Sequence, residues 1–314
     1  MVEVAQNLKG RDFVRIGTWN SEELKTALDL ADELKVLRKQ REPHELLPGR
    51  TLGMIFEKPS TRTRVSFEVG IVELGGYGLY LSANDLQLGR GETIKDTANV
   101  LERYLDAIMI RTFAQEDVEQ LADHADIPVI NGLTDYAHPC QALADLMTIR
   151  ERLGRLSGAR LAYLGDGNNV SVSLMVGAAR FGMRFVAATP EGYEPDPNAV
   201  NAARRAAVQM GGTVELTRDP REAAREADVL YTDVWTSMGQ EKESERRRKD
   251  LAGFQIDDQL LSQASPDAIV LHCLPAHYGE EITEEVLYGP HSAIWDQAEN
   301  RLHAQKALLA LIVT

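Results

Sequence analysis

The chain has 314 residues, of which 44% are hydrophobic, and a formal net charge of −14. This length is large for a single hydrophobic core and suits two domains. The acidic balance argues against binding to nucleic acid, and no apolar run approaches the roughly 20 residues that cross a bilayer. The start, MVEVAQNLKG, lacks a signal-peptide pattern, and two cysteines cannot form a disulfide framework. We therefore expect a cytoplasmic protein that binds neither nucleic acid nor membrane.

Short apolar runs alternate with longer amphipathic stretches from one end of the chain to the other. The apolar runs predict strands at residues 51–56, 78–81, 107–111, 128–131, 160–164, 184–188, 213–216, 229–232 and 268–272. Amphipathic helices are predicted between them, among them 21–38, 93–104 and 197–210. Helices cover both faces of parallel sheets, so this alternation predicts an α/β protein with two doubly wound parallel-sheet domains.

Two further helices bear on the domain organisation. The helix at 138–153, followed by Gly154, is the predicted link between the domains, and a strongly apolar helix at about 292–312 must dock on one of them. The charged run EKESERRRKD, at 241–250, is interpreted as an exposed helix with i,i+4 ion pairs.

The stretch FEKPSTRTRVSFEVGI, at 56–71, ends a predicted strand and begins a helix within the segment 60–64. Three hydroxyls and two guanidiniums then surround the free N–H groups of a first helical turn, where the helix dipole is positive. The arginine fork suits phosphate oxygens, so this segment predicts an anion site. An ordinary helix cap with a basic first turn is the alternative.

Other polar residues follow the predicted strands of the same domain, where open α/β sheets bind their ligands. Arg111 ends the third strand, and His138 and Gln141 follow the fourth. We expect these side chains to converge on one anion and a carbonyl group. Taken singly, Arg111 is equally explained as a structural ion-pair residue, and His138 as a helix-capping histidine.

In the second domain, LGDGNN at 164–169 lacks the third glycine of a dinucleotide-binding turn, because Val170 stands there. No nicotinamide cofactor is therefore expected. The amide of Asn169 suits an amino-acid carboxylate or amine instead. Asp233 follows a later strand, ahead of the loop 237–239, and offers an anion for a cationic substrate group.

The cysteines and histidines raise the question of a metal site. The possible ligands are His138, Cys140, His272, Cys273 and His277. They lack a paired CxxC or HxxxH spacing, so we expect no constitutive metal, although adventitious inhibitory zinc at Cys273 stays open. No dedicated His–acid pair serves either thiol, which argues against covalent catalysis. We expect no cofactor.

Four motifs in order resemble the aspartate and ornithine carbamoyltransferase family: STRTR at 60–64, HPCQ at 138–141, DVWTSMG at 233–239 and HCLP at 272–275. The last two resemble the ornithine-specific branch. The resemblance covers nearly the whole chain. It implies a carbamoyl-phosphate-binding domain at residues 1–152, completed by a C-terminal helix at 292–314, and an ornithine-binding domain at 153–291.

The reaction implied by the resemblance is transfer of the carbamoyl group of carbamoyl phosphate to the δ-amine of L-ornithine, giving L-citrulline and phosphate. The implied catalytic residues are Arg111, His138, Asp233 and Cys273. The implied contacts of carbamoyl phosphate are Ser60, Thr61, Arg62, Thr63, Gln87, Arg111, His138, Gln141, Cys273, Leu274 and Arg301. The implied contacts of ornithine are Asn169, Asp233, Ser237 and Met238.

Family members are trimers with active sites between subunits. The resemblance thus implies a homotrimer or an assembly of trimers, in which Gln87 of the loop 82–92 completes a neighbour's phosphate site. A sister enzyme acting on putrescine, acetylornithine or aspartate is the nearest alternative, and the intact Asp233 and loop 237–239 favour ornithine. A catalytically silent subunit would show damaged motifs, and none is found. The sequence leaves open an anabolic or a catabolic role in arginine metabolism.

Overall fold

The computed structural model describes residues 6–88 and 91–314. The chain forms two compact units. The first runs up to Met147 and resumes at Glu299–Thr314, and the second is Thr148–Ala298. The sequence placed these divisions at 152/153 and 291/292. Among the described residues, no helix combines the length and the apolarity needed to cross a membrane.

The first unit is built on a parallel sheet of four strands in the order β2-β1-β3-β4. Its strands are β1 (Thr51–Phe56), β2 (Tyr77–Ser82), β3 (Ala107–Arg111) and β4 (Val129–Leu133). Its helices are α1 (Ser21–Gln40), α2 (Thr61–Glu73), α3 (Ile94–Leu101), α4 (Gln115–His124) and α5 (Pro139–Leu153), the last of which continues into the second unit. The chain order reverses between β1 and β3, so the segments that follow these two strands emerge side by side. Ligands of open α/β sheets bind at such a point.

The second unit carries a parallel sheet of five strands in the order β7-β6-β5-β8-β9. Its strands are β5 (Arg160–Leu164), β6 (Arg184–Ala188), β7 (Thr213–Thr217), β8 (Val229–Thr232) and β9 (Ile269–His272). Its helices are α6 (Asn169–Arg180), α7 (Pro197–Met210), α8 (Pro220–Ala224), α9 (Ser244–Leu251), α10 (Asp258–Leu261) and α11 (Glu284–Leu287). Here the order reverses between β5 and β8, which places the segments after these strands next to each other.

The last helix, α12 (Ile294–Ile312), returns to the first unit, which confirms the predicted C-terminal docking. From Asn300 to Val313 every residue is buried. The Lys9 ammonium donates to the carbonyl of Ala310 at 3.1 Å, and the amide of Gly10 donates to that of Ile312 at 2.8 Å. These bonds satisfy carbonyls of the last helical turn, which have no partner within the helix.

The predicted two-domain α/β architecture is confirmed, and the strand bounds agree closely with the sequence. Five strands have the predicted bounds, at 51–56, 107–111, 160–164, 184–188 and 229–232, and the other four differ by one or two residues. The five strands with the predicted bounds are almost wholly buried, so they appear in the sequence as unbroken apolar runs, whereas the edge strands β2 and β7 are partly exposed. The helix predicted at 93–104 is shorter, since α3 ends at Leu101.

His303 is a fully buried histidine within α12. Burial, followed by the positive charge of Lys306, lowers its pKa to about 4, although the contact of its Nε2 with Glu299 at 3.4 Å opposes this shift. The His303 imidazole therefore stays neutral in the folded state until the pH approaches 4, whereas in the unfolded chain it takes up a proton near pH 6.5.

We predict that His303 makes the protein lose stability as the pH falls from about 6.5 towards 4. Its contribution over this window is about 3 kcal/mol, from the difference between the folded and unfolded pKa values. Urea unfolding at a series of pH values should show a shallower loss for His303→Gln than for the wild type. Replacement of the exposed His124 by Gln is the control and should leave the slope unchanged; an equal slope for His303→Gln would contradict the prediction.

Candidate active site

The first turn of α2 forms one side of a polar cluster in the first unit. Ser60 is the N-cap: its backbone is extended, and its hydroxyl accepts from the amide of Thr63 at 3.2 Å. This bond satisfies one of the four amides that have no hydrogen-bond partner within the helix. The remaining amides point outward at the N-terminus, which is the positive end of the helix dipole. Thr61, Arg62 and Thr63 follow the cap directly, after β1.

The two arginines of the motif have different surroundings. Arg62 is half-buried and contributes to the positive potential at His138. Arg64 is exposed: its guanidinium lies 4.0 Å from the centroid of the Tyr80 ring, and its Nε is 3.3 Å from a Glu68 oxygen. Of the two guanidiniums, Arg62 is therefore the one that the structure associates with the polar cluster.

Arg301 reaches this cluster from α12. Its guanidinium is buried and donates to the Thr63 hydroxyl at 3.2 Å and to the Gln141 amide oxygen at 2.6 Å. Gln141 lies in the first turn of α5 and donates in turn to Asp145 at 2.8 Å. The structure thus brings together residues that lie 238 and 160 positions apart in the chain.

His138 is buried directly before α5. Burial, and then the positive charges of Arg301, Arg111 and Arg62, hold its pKa well below the ordinary value. The imidazole is therefore neutral at pH 7, and it can donate one hydrogen bond without adding charge. Three guanidiniums close enough to act on one imidazole make a strongly cationic site.

Arg111 lies at an irregularity of the sheet, at the end of β3. The register between β3 and β4 shifts between Ile110 and Arg111, so that Arg111 pairs with Leu133. A shift of this kind redirects the side chain at the end of a strand. Arg111 is buried, and its carbonyl accepts from the amide of Glu57 at 2.9 Å, which ties the ends of β3 and β1 together.

The second unit has its own polar cluster, at the ends of β5, β8 and β9. One Asp233 oxygen accepts from the Asn168 amide at 2.7 Å, and the other accepts from the Cys273 thiol at 2.9 Å. Asn168 is also the N-cap of α6, where its side-chain oxygen accepts from the amides of Val170 and Ser171. The sequence analysis named its neighbour Asn169 and missed Asn168, although an asparagine before a helix is a recognisable capping signal.

The loop that carries Ser237 and Met238 is closed by local hydrogen bonds. The Ser237 amide donates to the Gln240 side chain at 3.2 Å, and Gly239 has a φ of 93° that favours glycine. The Met238 side chain is 45% exposed, so it is not a core residue.

The charged run at 241–250 is not simply an exposed helix, and this interpretation is corrected. Arg247 is only 5% exposed: it pairs with Asp166, and its Nε donates to the carbonyl of Trp235 at 2.7 Å. Burial, only partly offset by Arg247, raises the pKa of Asp166. Arg247 therefore holds the segment after β8 against the segment after β5, a long-range contact that i,i+4 spacing does not reveal.

His272 anchors the segment that carries Cys273 and Leu274. The amide of Leu274 donates to His272 Nδ1 at 2.8 Å, which makes Nε2 the protonated nitrogen, and this lies 3.1 Å from the buried Glu281 carboxylate. Leu274 has a φ of 61°.

Among the described residues, Asp233, His272 and Cys273 place possible metal-ligand atoms within 4.8 Å of one another, as do His277, Glu280 and Glu281. The expectation of no constitutive metal stays a prediction.

Gln87 lies in the loop after β2 and is exposed. Two residues of the predicted loop 82–92, Gly89 and Arg90, lie outside the described residues. The predicted contacts of Cys273 and Leu274 with carbamoyl phosphate also stay a prediction, and both residues belong to the second unit.

Two family models match consecutive parts of the chain. Residues 11–151 match the aspartate/ornithine carbamoyltransferase carbamoyl-P binding domain, and residues 157–312 match the Asp/Orn binding domain. The chain belongs to the aspartate/ornithine carbamoyltransferase family. This confirms the resemblance of the four motifs and the prediction that the protein is a carbamoyltransferase.

Relatives in this family match along their whole length. The ornithine carbamoyltransferase of Thermococcus kodakarensis is 57% identical over 307 residues, covering 98% of each chain. The anabolic ornithine carbamoyltransferase of Pyrococcus furiosus is 56% identical, again with 98% of each chain covered. A solved structure of ornithine carbamoyltransferase from Pyrococcus furiosus superposes with a TM-score of 0.95 at 55% identity, covering 99% of each chain.

The two free cysteines differ in their surroundings. Cys140 is buried in α5, its thiol lies 3.4 Å from the Asn131 carbonyl, and burial raises its pKa to about 12. Cys273 is only partly buried. At pH 8 a thiol with a pKa of about 12 is thiolate in roughly one molecule in ten thousand, and the thiolate is the reactive form.

We predict that iodoacetamide modifies Cys273 and spares Cys140 in the native protein at pH 8. Peptide mass spectrometry after timed labelling should find the label at Cys273 at least about a hundredfold faster. Cys273→Ser should then abolish native labelling, and unfolding in urea should expose Cys140 as a control for its detection. Native labelling of Cys140 at the rate of Cys273 would contradict this account of the two thiols.

Proposed function

We propose that the protein transfers the carbamoyl group of carbamoyl phosphate to the δ-amine of L-ornithine and releases L-citrulline and phosphate. The observation that carries this proposal is the cationic cluster of the first unit, where Arg62, Arg111 and Arg301 act on a neutral His138 beside the start of α2. A helix N-terminus with buried guanidiniums suits the dianionic phosphate group. The full-length similarity to enzymes named ornithine carbamoyltransferase supports the choice of acceptor.

In this proposal the first unit binds carbamoyl phosphate. The phosphate accepts hydrogen bonds from the hydroxyls of Ser60 and Thr61, from the amides of residues 61 and 62, and from Arg62 and Arg301. Arg111, His138 and the Thr63 hydroxyl then donate to the carbonyl oxygen, which becomes an oxyanion when the amine attacks. Donors fixed in place before the reaction stabilise such a charge most effectively. The oxygen of Gln141 faces the amino group of the carbamoyl moiety.

The second unit binds L-ornithine in this proposal, through Asn169, Asp233, Ser237 and Met238. The δ-amine must be neutral to attack, although alkyl amines titrate near pH 10.4. Asp233 holds this amine, and Cys273 fixes the Asp233 carboxylate by the 2.9 Å hydrogen bond. A thiol that donates to Asp233 orients that carboxylate and is not itself the base.

The bond changes of the reaction need no metal or organic cofactor. The amine nitrogen forms a bond to the carbamoyl carbon, the bond from that carbon to the bridging oxygen breaks, and the departing phosphate takes up the proton that the amine loses. Much of the acceleration comes from holding the two small substrates in place, which replaces an encounter in solution.

We further propose that the protein acts as a homotrimer, or as an assembly of trimers, in which Gln87 contributes to the phosphate site of a neighbouring subunit. The cytoplasm is the proposed location and arginine biosynthesis the proposed direction, the latter supported by similarity to an enzyme named as anabolic. Native mass spectrometry tests the assembly, and a monomer would contradict it.

The identity of the acceptor is tested with a panel of amines, in a colorimetric assay that detects the carbamoylated product of each, as it does citrulline. Ornithine should exceed putrescine, N-acetylornithine and aspartate by about a hundredfold or more in kcat/KM, because a site with buried polar groups penalises ligands that leave them unpaired. Equal turnover of putrescine or aspartate would overturn the ornithine assignment and leave carbamoyl transfer intact. Lack of turnover with every amine would contradict the function as a whole.

A further inference from the structure

Gln141 and Asp145 lie one turn apart on α5, and both side chains are buried, with 1% and 0% exposure. The Gln141 Nε2 donates to Asp145 Oδ1 at 2.8 Å. The Oε1 at the other end of the same amide accepts from Arg301 Nη1 at 2.6 Å. All three residues belong to the first unit.

These two bonds fix the orientation of the Gln141 amide. A carboxylate only accepts hydrogen bonds and a guanidinium only donates them, so both bonds form in one orientation and neither forms after a half-turn of the amide. The reversed amide would set its NH₂ group against Arg301 and its oxygen against Asp145, in a buried place where unmade polar contacts are costly.

The fixed oxygen lies beside the proposed phosphate site. Arg301 Nη1 contacts this oxygen, while its Nη2 donates to the Thr63 hydroxyl in the first turn of α2, at 3.2 Å. An amide oxygen has two acceptor positions and can take a second hydrogen bond besides that from Arg301. A hydrogen-bond acceptor is therefore held at a defined place in the cationic cluster.

We propose that Asp145 is a positioning residue that makes the site selective for carbamoyl phosphate over acetyl phosphate. The inference rests on the proposed function. The two acyl phosphates differ in one group, since the NH₂ of carbamoyl phosphate is a CH₃ in acetyl phosphate. The Gln141 oxygen matches the NH₂ and finds no partner in the CH₃, and Asp145 together with Arg301 keeps this oxygen facing the ligand.

Two unreactive phosphonates isolate this contact. Phosphonoacetamide carries the NH₂ group and 2-oxopropylphosphonate carries CH₃ in its place, and neither can transfer its acyl group. Calorimetric titration gives a Kd for each, and their ratio measures selectivity apart from turnover. The wild type should bind the amide at least about tenfold more tightly, because the ketone lacks the N–H group that donates a second hydrogen bond to the buried Gln141 oxygen.

Three variants separate orientation from charge and from folding. Asp145→Leu has nearly the same size and no acceptor, so Arg301 alone holds the amide and the ratio should fall. Asp145→Asn should keep the ratio, because the Asn oxygen can still accept from Gln141. The ratio of the two Kd values should also fall towards one for Gln141→Leu. This result would show that Gln141 is the group that contacts the NH₂. If Asp145→Leu does not fold, Asp145→Ala takes its place.

A purely structural role for Asp145 would weaken both ligands equally and leave the ratio unchanged, which would overturn the proposal. An equal fall of the Kd ratio in Asp145→Asn and Asp145→Leu would assign the effect to the charge of Asp145 and would also overturn the proposal. A wild-type Kd ratio near one would overturn it too. These failures are distinct from failure of the proposed function. A wild type that binds neither phosphonate and forms no citrulline would contradict the function itself.

Discussion

Arg301 is a buried cation whose hydrogen bonds join three helices from distant parts of the chain. It lies on α12 and donates to Thr63 on α2 and to Gln141 on α5. A guanidinium without partners is costly to bury, so these bonds are a condition for docking the last helix. Burial and then this same charge lower the pKa of His138. One residue thus couples the path of the C-terminus to the electrostatics of the proposed carbamoyl-phosphate site.

Both units use the same geometric solution to collect polar groups. In each sheet the chain order reverses next to a central strand, and the segments after β1 and β3, or after β5 and β8, emerge side by side. The first unit places cations there and the second places the Asp233 carboxylate with Asn168 and Cys273. The charges match the ligands in the proposal, an anionic phosphate for one unit and an amine for the other.

The sequence predicted the strands and the principal motifs because both depend on local features. Buried parallel strands are continuous apolar runs, and Ser60 before a helix is a local capping signal. The different orientations of Arg62 and Arg64 were not predictable, because Arg64 contacts the ring of Tyr80 on β2 as well as Glu68 on α2. Their difference depends on the rotation of α2 against the sheet.

Contacts between distant segments account for what the sequence analysis missed. Arg247 stands in a run of charges typical of an exposed helix, and its burial depends on Asp166, 81 residues earlier. Asn168 is the N-cap of α6 and also donates to Asp233, 65 residues later in the chain. The sequence named Gln141 for its motif, but its orientation depends on both Asp145 and Arg301.

In the proposed function, the start of α2, with Arg62, holds the phosphate of carbamoyl phosphate. Calorimetric titration of phosphonoacetamide into Arg62→Ala and Arg64→Ala tests it most directly. The two residues lie in the same helical turn and each carries one positive charge, but only Arg62 is associated with the cationic cluster. Arg62→Ala should lose about 2–5 kcal/mol of binding free energy, as for a truncated buried charge contact, and Arg64→Ala less than about 0.5 kcal/mol. Equal, small losses in the two variants would contradict the account.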